Sequence, residues 1–110
     1  MILSCHGQKT MRAFGVTTAS KRRVYRLDGR TKTLLFWNKD NREFISWGDG
    51  TLDVDPSAIS FVSRDRELDR GVREIHFDRE SGNVTDAIIN PYATLSFTGN
   101  CKPDPTDPKF

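Results

Sequence analysis

Short segments in which apolar and polar residues alternate recur along the chain, and stretches rich in Gly, Pro, Asp and Asn separate them. A period of two is the pattern of a β-strand with one buried face. Ile59 and Phe61 follow it, as do Ile75 and Phe77. About eight such segments are present at the regular spacing of a β domain, namely VYRL, KTLLFW, REFISW, TLDVD, AISFVS, REIHFD, NVTDAII and ATLSFTGNC.

These segments predict an all-β protein, because no crossover helix separates them. Consecutive strands are then expected to pair antiparallel, and a meander of this length curls to remove its edges. We predict a single antiparallel β barrel or sandwich of about eight strands, meander-like, over residues 1–102. The segment 103–110, PDPTDPKF, is rich in Pro and Asp and predicts an extended tail.

The length of 110 residues fits one domain, and eleven aromatic residues (seven Phe, two Trp and two Tyr) can fill its core. No apolar run approaches the ~20 residues of a membrane-spanning helix, so no membrane span is predicted.

The charged residues are distributed unevenly. Residues 1–42 hold ten basic and two acidic residues, whereas residues 43–110 hold seven basic and thirteen acidic ones. This asymmetry fits a basic binding face, and it also fits oppositely charged strands that pair across a sheet, where each facing pair contributes ~0.2–1 kcal/mol. We favour cross-strand pairing, because strands distant in sequence meet in a β domain.

Cys5 and Cys101 stand near opposite ends of the chain. A disulfide between them would stabilise the fold by ~4–5 kcal/mol at most in the chain-entropy model. Such bridges persist in oxidising compartments, which predicts a periplasmic or secreted protein. Two reduced thiols in a cytoplasmic protein are the alternative. The stretch Met1 to Leu3 cannot form an export signal, so export would require that a signal was removed.

The stretch DRESGN, residues 78–83, contains an acid, a base and a serine, but it predicts the corner of a hairpin. The Asp78 carboxylate can accept hydrogen bonds from backbone amides that follow it. Gly82 can adopt a positive φ, Arg79 and Glu80 would face solvent, and Ser81 would cap an amide. Each residue therefore has a structural role.

Several motifs of the chain resemble those of a family of small exported all-β proteins of proteobacteria. The matching residues are Leu3, Cys5, Gly7, Tyr25, Leu27, Asp28, Ile59, Phe61, Asp78, Arg79, Gly82, Cys101, Lys102, Pro103 and Phe110. The basic segment SKRRVYR and the longer spacing between Leu95 and Cys101 depart from that pattern. The resemblance implies an exported β domain with a disulfide between its two ends, and it implies no particular activity.

No metal, cofactor or catalytic site is predicted. His6 and His76 do not join the cysteines at the close spacing of a structural zinc site. GDGTLDVD lacks the acid pattern of a calcium loop, so we interpret Asp49 as a turn residue and Asp53 and Asp55 as an exposed strand face. With two histidines and no nucleophile elbow, no motif marks a nucleophile with its base. No acid stands in an apolar setting that would raise its pKa, so we predict that the protein is not an enzyme.

The strongest binding signal is TASKRRVYR, where Lys21, Arg22, Arg23 and Arg26 flank Tyr25. Such cations bind phosphate, and an aromatic ring beside them can stack on a base for ~1–3 kcal/mol. A nucleic-acid-binding barrel usually has more exposed aromatics and a higher charge. We therefore favour a solvated loop that enters a strand in which Tyr25 is buried.

Together these patterns predict a binding or structural module whose partner is another protein, an envelope component or a small ligand. The candidate binding residues are Trp37 and Trp47 as anchors, with Lys21, Arg22 and Arg23 as a rim that attracts anions. Two tryptophans exposed on one face would indicate a recognition surface. The alternative is a nucleic-acid-binding protein of cytoplasmic or phage origin that uses residues 21–26.

Overall fold

The computed structural model describes residues 2–13, 15–28, 30–46, 50–65, 71–90 and 92–103. Within these ranges the chain forms nine strands and no helix. The strands are β1 (Ile2–Arg12), β2 (Val16–Asp28), β3 (Thr33–Asn38), β4 (Glu43–Ile45), β5 (Gly50–Val54), β6 (Ala58–Asp65), β7 (Gly71–Asp78), β8 (Asn83–Ile89) and β9 (Thr94–Pro103).

All nine strands form one antiparallel sheet in the order β4-β3-β2-β1-β9-β8-β7-β6-β5. Consecutive strands pair throughout, except that β4 and β5 are the two edges and β1 pairs with β9. The first and last strands therefore lie at the centre of the sheet. The predicted all-β meander is confirmed, with a strand order that is interrupted between β4 and β5.

The sheet curls into a half-barrel, because side chains of strands far apart in the sheet meet inside it. The ring centroids of Tyr25 on β2 and Phe77 on β7 are 5.2 Å apart. Those of Phe36 on β3 and Phe61 on β6 are 6.3 Å apart. Tyr25, Phe36, Phe61 and Phe77 thus converge on one core although they are spread along the sequence.

The strand periodicity also explains the core. On β7, buried Arg73, Ile75 and Phe77 alternate with exposed Glu74 and His76. Each strand contributes its inward positions in the same way. The buried apolar cluster comprises Leu3, Cys5, Tyr25, Leu27, Leu34, Leu52, Ile59, Phe61, Ile75, Phe77, Val84, Phe97 and Cys101.

The long hairpin of β1 and β2 corrects one prediction. Residues 16–23 form the first half of β2, not a solvated loop, although most of their side chains are exposed. The reason is an unbroken register with β1, which runs from Ile2 opposite Arg26 to Arg12 opposite Val16. Tyr25 is buried, as predicted.

The predicted pair of cysteines is brought together by the central pairing of β1 with β9. Cys5 and Cys101 are direct cross-strand partners, with their Cα atoms 4.0 Å apart, and a disulfide joins their sulfur atoms. The two ends of the sheet meander are therefore linked covalently at the centre of the sheet.

Five turns share one hydrogen-bonding pattern, in which an Asp or Asn at the end of a strand accepts hydrogen bonds from the amides two and three residues later. These residues are Asp28, Asn38, Asp55, Asp78 and Asn90. The bond to the next-but-one amide is 2.9–3.0 Å long in each turn. A recurrent acid or amide thus ends strands throughout the sheet.

DRESGN is the corner between β7 and β8, as predicted. The Asp78 carboxylate accepts the amides of Glu80 and Ser81 at 2.9 and 3.2 Å. Gly82 has a φ of 80°, and the Ser81 hydroxyl accepts the amide of Asn83. Asp78, like Asp28 and Asp55, has a pKa held below its ordinary value, chiefly because backbone amides donate to the carboxylate.

The predicted pairing of oppositely charged strands is wrong. The basic strands β1 and β2 pair with each other, and Lys21 and Arg22 face Gly7 and His6. In the described registers no basic residue of β1 or β2 faces an acid. The two halves of the chain instead meet through the interior, where Arg23 contacts Asp86 on β8. The basic residues of β1 and β2 are therefore concentrated in one hairpin.

The tail is predicted over residues 103–110, but Pro103 belongs to β9, because its strand still pairs with β1 at Leu3. Residues 104–110 of the predicted tail lie outside the described residues, as do Trp47 and Asp49. No helix among the described residues is long and apolar enough to cross a membrane.

Candidate anion-binding cleft

A half-open cleft of about 700 Å³ lies where β2 and β3 separate. The two strands pair from Asp28 opposite Thr33 only as far as Tyr25 opposite Phe36. Beyond this point β3 leads into the turn to β4, while β2 continues along β1. The cleft is lined by Ser20, Lys21, Arg22, Arg23, Val24, Tyr25, Phe36, Trp37, Asn38, Lys39, Asp40, Ile45 and Arg73.

The lining shows how the strands face the cleft. Six consecutive residues of β2, 20–25, line one wall, and five consecutive residues, 36–40, line the other. Ser20 to Val24 lie on the part of β2 that β3 has left, so this wall is a strand edge. Tyr25, Phe36 and Arg73 lie at the core, so the cleft leads from this edge into the interior of the half-barrel.

The inner side of the cleft carries a buried cluster of three charges. The Asp86 carboxylate, whose side chain is fully buried, accepts hydrogen bonds from Arg73 Nε at 3.0 Å and Nη2 at 2.7 Å. Arg23 Nη1 donates to the same carboxylate at 2.7 Å. Because two guanidinium groups share one carboxylate, the cluster has a net positive charge, and both arginines line the cleft.

Tyr25 completes this cluster, since its hydroxyl donates to Asp86 Oδ2 at 2.8 Å. Burial raises the pKa of the Tyr25 hydroxyl, and the negative charge of Asp86 raises it further. The hydroxyl therefore stays protonated and remains a donor. Four hydrogen bonds satisfy the carboxylate, as a buried charge requires.

Two aromatic rings hold the guanidinium groups in place. The Arg73 Cζ atom lies 3.9 Å from the centroid of Phe36, and the Arg23 Cζ atom lies 4.7 Å from the centroid of Phe97. Such stacking and the bonds to Asp86 restrict the rotation of both side chains. A ligand that meets them would therefore lose little entropy in ordering them.

The rim of the cleft is also basic. The pKa of Lys21 is lowered, first because the side chain is partly desolvated, and then because Lys9, Arg23 and Lys39 lie near. These cations repel one another, and a bound anion would relieve the repulsion. Among the described residues of the lining, Asp40 is the one acid.

The structure brings together four of the six residues that the sequence suggested for binding, Lys21, Arg22, Arg23 and Trp37. Trp37 is half-buried, and its ring centroid lies 5.2 Å from that of Phe44. Arg26 is exposed beside Phe44, with Cζ 5.8 Å from the ring, and does not line the cleft. The test of two exposed tryptophans cannot be applied, because Trp47 lies outside the described residues.

Sequence reasoning missed Arg73 and Asp86. Asp86 alternates with Val84 and Ile88 on β8, and Arg73 alternates with Ile75 on β7. The available signal was a charged residue at an inward position of each strand. The sequence does not show that these two residues contact each other, because contacts between strands are not visible along the chain.

Among the described residues, no group of three or more His, Cys, Asp and Glu side chains is placed to hold a metal ion. His76 is exposed, as predicted, and its Nδ1 atom lies 3.2 Å from the Ser60 hydroxyl.

No protein-family model, curated protein or solved structure matches the chain. The resemblance to small exported proteins therefore stays a prediction that rests on the motifs, and the function has to be argued from the cleft.

Proposed function

We propose that the protein is an exported binding module whose cleft binds an anionic group of a protein, an envelope component or a small ligand. The observation that carries this proposal is the lining of the cleft: five cationic side chains, Lys21, Arg22, Arg23, Lys39 and Arg73, surround a space of ligand size. Such a concentration of one sign of charge in a recess attracts the opposite charge.

The buried carboxylate does not cancel this field. Asp86 neutralises one of the two arginines that it contacts, and Asp40 offsets one further cation. Among the described residues that line the cleft, cations therefore outnumber acids. Arginine forks suit planar carboxylates and phosphates, because several N–H groups point in fixed directions.

The other wall supplies apolar surface. Phe36, Trp37 and Ile45 line the cleft beside the cations. A mostly apolar recess with a few fixed polar groups is the usual composition of a ligand site. The ligand class that fits best is an anion that also carries an apolar portion.

Export is supported by two observations of different kinds. The disulfide between Cys5 and Cys101 fits an oxidising compartment. The motifs around Cys5, Asp78 and Cys101 resemble those of small exported proteobacterial proteins. Thiol titration of protein isolated from its host tests this part, since two titratable thiols would favour the cytoplasm.

Titration of the oxidised protein with citrate, tripolyphosphate and a short glutamate-rich peptide tests the cleft. We expect saturable changes in amide chemical shifts that are largest at residues 20–25 and 36–40. Lys21→Gln should weaken binding by roughly threefold to tenfold, the effect of one partly exposed charge contact.

Lys102→Gln is the matched control, because Lys102 is an exposed lysine of β9 that does not line the cleft. It should leave the affinity unchanged. If none of the three anions produces a saturable change at the cleft, the proposal is overturned.

The nucleic-acid alternative loses its stacking residue, because Tyr25 is buried and bound to Asp86. Salt-dependent retention on single-stranded DNA or RNA, together with free thiols, would favour it over the exported module.

A further inference from the structure

The cleft has the form of a missing strand. On the side away from β1, no described strand pairs with residues 16–24 of β2. Ser20 to Val24 therefore form a strand edge, and all five residues line the cleft. Exposed strand edges of this kind pair readily with a segment of another chain.

We infer that the cleft receives an extended acidic peptide segment, which adds to the edge of β2 as a further strand. This inference rests on the proposed function and names the class of its partner. Backbone hydrogen bonds would supply affinity that does not depend on sequence, and side-chain contacts would supply selectivity.

Charge complementarity selects the peptide. An added strand would place alternate side chains on the inner face, toward Lys21 and Arg23, and the others on the outer face, toward Arg22. Acidic residues at these positions meet cations on either face. A basic or neutral segment would leave the positive excess of the cleft uncompensated.

The length of the open edge sets the length of the peptide. Five residues of β2, 20–24, span about 16 Å at the usual rise of ~3.3 Å per residue. A segment of about five residues can thus lie along the edge inside the cleft. Phe36 and Trp37 on the opposite wall would contact its apolar side chains.

The test compares peptides that differ only in their backbone. The parent is a capped five-residue peptide in which glutamate and valine alternate. Two analogues carry N-methyl groups on alternate amides, one on the odd and one on the even positions. Charge and side chains are unchanged, so the protein itself needs no substitution that could disturb its fold.

We expect at least one analogue to bind about tenfold or more weakly than the parent, because hydrogen bonds to β2 are lost. Backbone amides of residues 20–24 that point into the cleft should exchange more slowly with the parent peptide bound. Lys21→Gln should weaken parent and analogues by the same factor, since it acts on charge alone.

Other results separate this inference from the proposed function. If both analogues bind within threefold of the parent, strand addition is overturned while the anion site stands. If citrate or tripolyphosphate binds and no peptide does, strand addition is again overturned and the anion site again stands. If no anion binds, both fail. If the free protein is a dimer in which the same β2 amides are protected, the occupant is a second copy and the inference is overturned.

Discussion

The two halves of β2 differ although they belong to one strand. Residues 25–28 pair with β3, Tyr25 and Arg26 also pair with β1, and Tyr25 and Leu27 are buried. Residues 16–22 pair with β1 alone among the described strands, and all seven side chains are exposed. The part of β2 that pairs with β3 therefore belongs to the core, whereas the part that β3 has left contributes residues 20–22 to the wall of the cleft.

Strand formation and burial are therefore separate properties in β2. The register with β1 is enough to make residues 16–24 a strand, since it supplies half of the backbone hydrogen bonds. Tyr25 and Leu27 are buried because they are apolar, point inward and have β3 beside them. Where β3 has separated from β2, residues 16–22 stay exposed.

Removal of the disulfide should give the largest effect. The double variant Cys5→Ser, Cys101→Ser opens a loop of 96 residues, which costs up to ~4–5 kcal/mol in the chain-entropy model. Urea unfolding measures the loss. Hydrogen exchange should then quicken at Leu27, which opens only with the whole fold, but not at Thr18, which opens locally. Equal acceleration at both would show that β2 is one cooperative unit.

Loss of the buried carboxylate should come next. Asp86→Ala leaves two arginines buried without their acceptor, and we expect ~3–5 kcal/mol of destabilisation. Tyr25→Phe removes one of the four hydrogen bonds and should cost ~1.5–3 kcal/mol. Both are measured by urea unfolding.

Asp53→Ala is the control for these variants, because Asp53 is an exposed acid of β5. It should shift the free energy of unfolding by no more than ~0.5 kcal/mol. An Asp86→Ala variant as stable as this control would show that the charged cluster does not hold the junction between the two halves of β2.

The smallest effect concerns the turn that follows the part of β2 paired with β3. Asp28 accepts the amides of Arg30 and Thr31, and these bonds lower its pKa below 3.8. The carboxylate therefore stabilises the fold fully above pH 3.8, and this contribution disappears as the pH falls through the folded-state pKa.

Asp28→Ala should accordingly be less stable than the wild type at pH 7, and its stability should fall less between pH 5 and pH 2. Thermal unfolding across this range checks the slope. A slope identical to that of the wild type would mean that the turn is not held by the charged carboxylate.

Much of the fold could be predicted from the sequence, because its signals are local. Alternation along AISFVS and REIHFD identifies strands, and Asp78 with Gly82 identifies a hairpin corner. The first half of β2 was misjudged for the same reason. Its polar residues alternate with no apolar ones, so only the partner strand reveals that they are extended.

The cleft could be predicted only in part. Lys21, Arg22, Arg23 and Trp37 carry visible chemistry, and their types alone suggested binding. Arg73 and Asp86 did not stand out, because each occupies an inward position where the alternating strand pattern normally has an apolar residue. A single charged residue at such a position looks like an irregularity in the pattern. Their role depends on Arg23 and Tyr25, which are more than sixty residues from Asp86 in sequence.

By itself, then, the sequence determined the strands, the turn residues and the supply of basic side chains, since these follow from neighbours along the chain. Only the tertiary structure decided which strands pair, where pairing stops and which charges share the interior. The physical reason is that a strand has an open edge only where no neighbouring strand pairs with it. The positions of the neighbouring strands depend on how the whole sheet curls, and the cleft beside β2 results from this curvature.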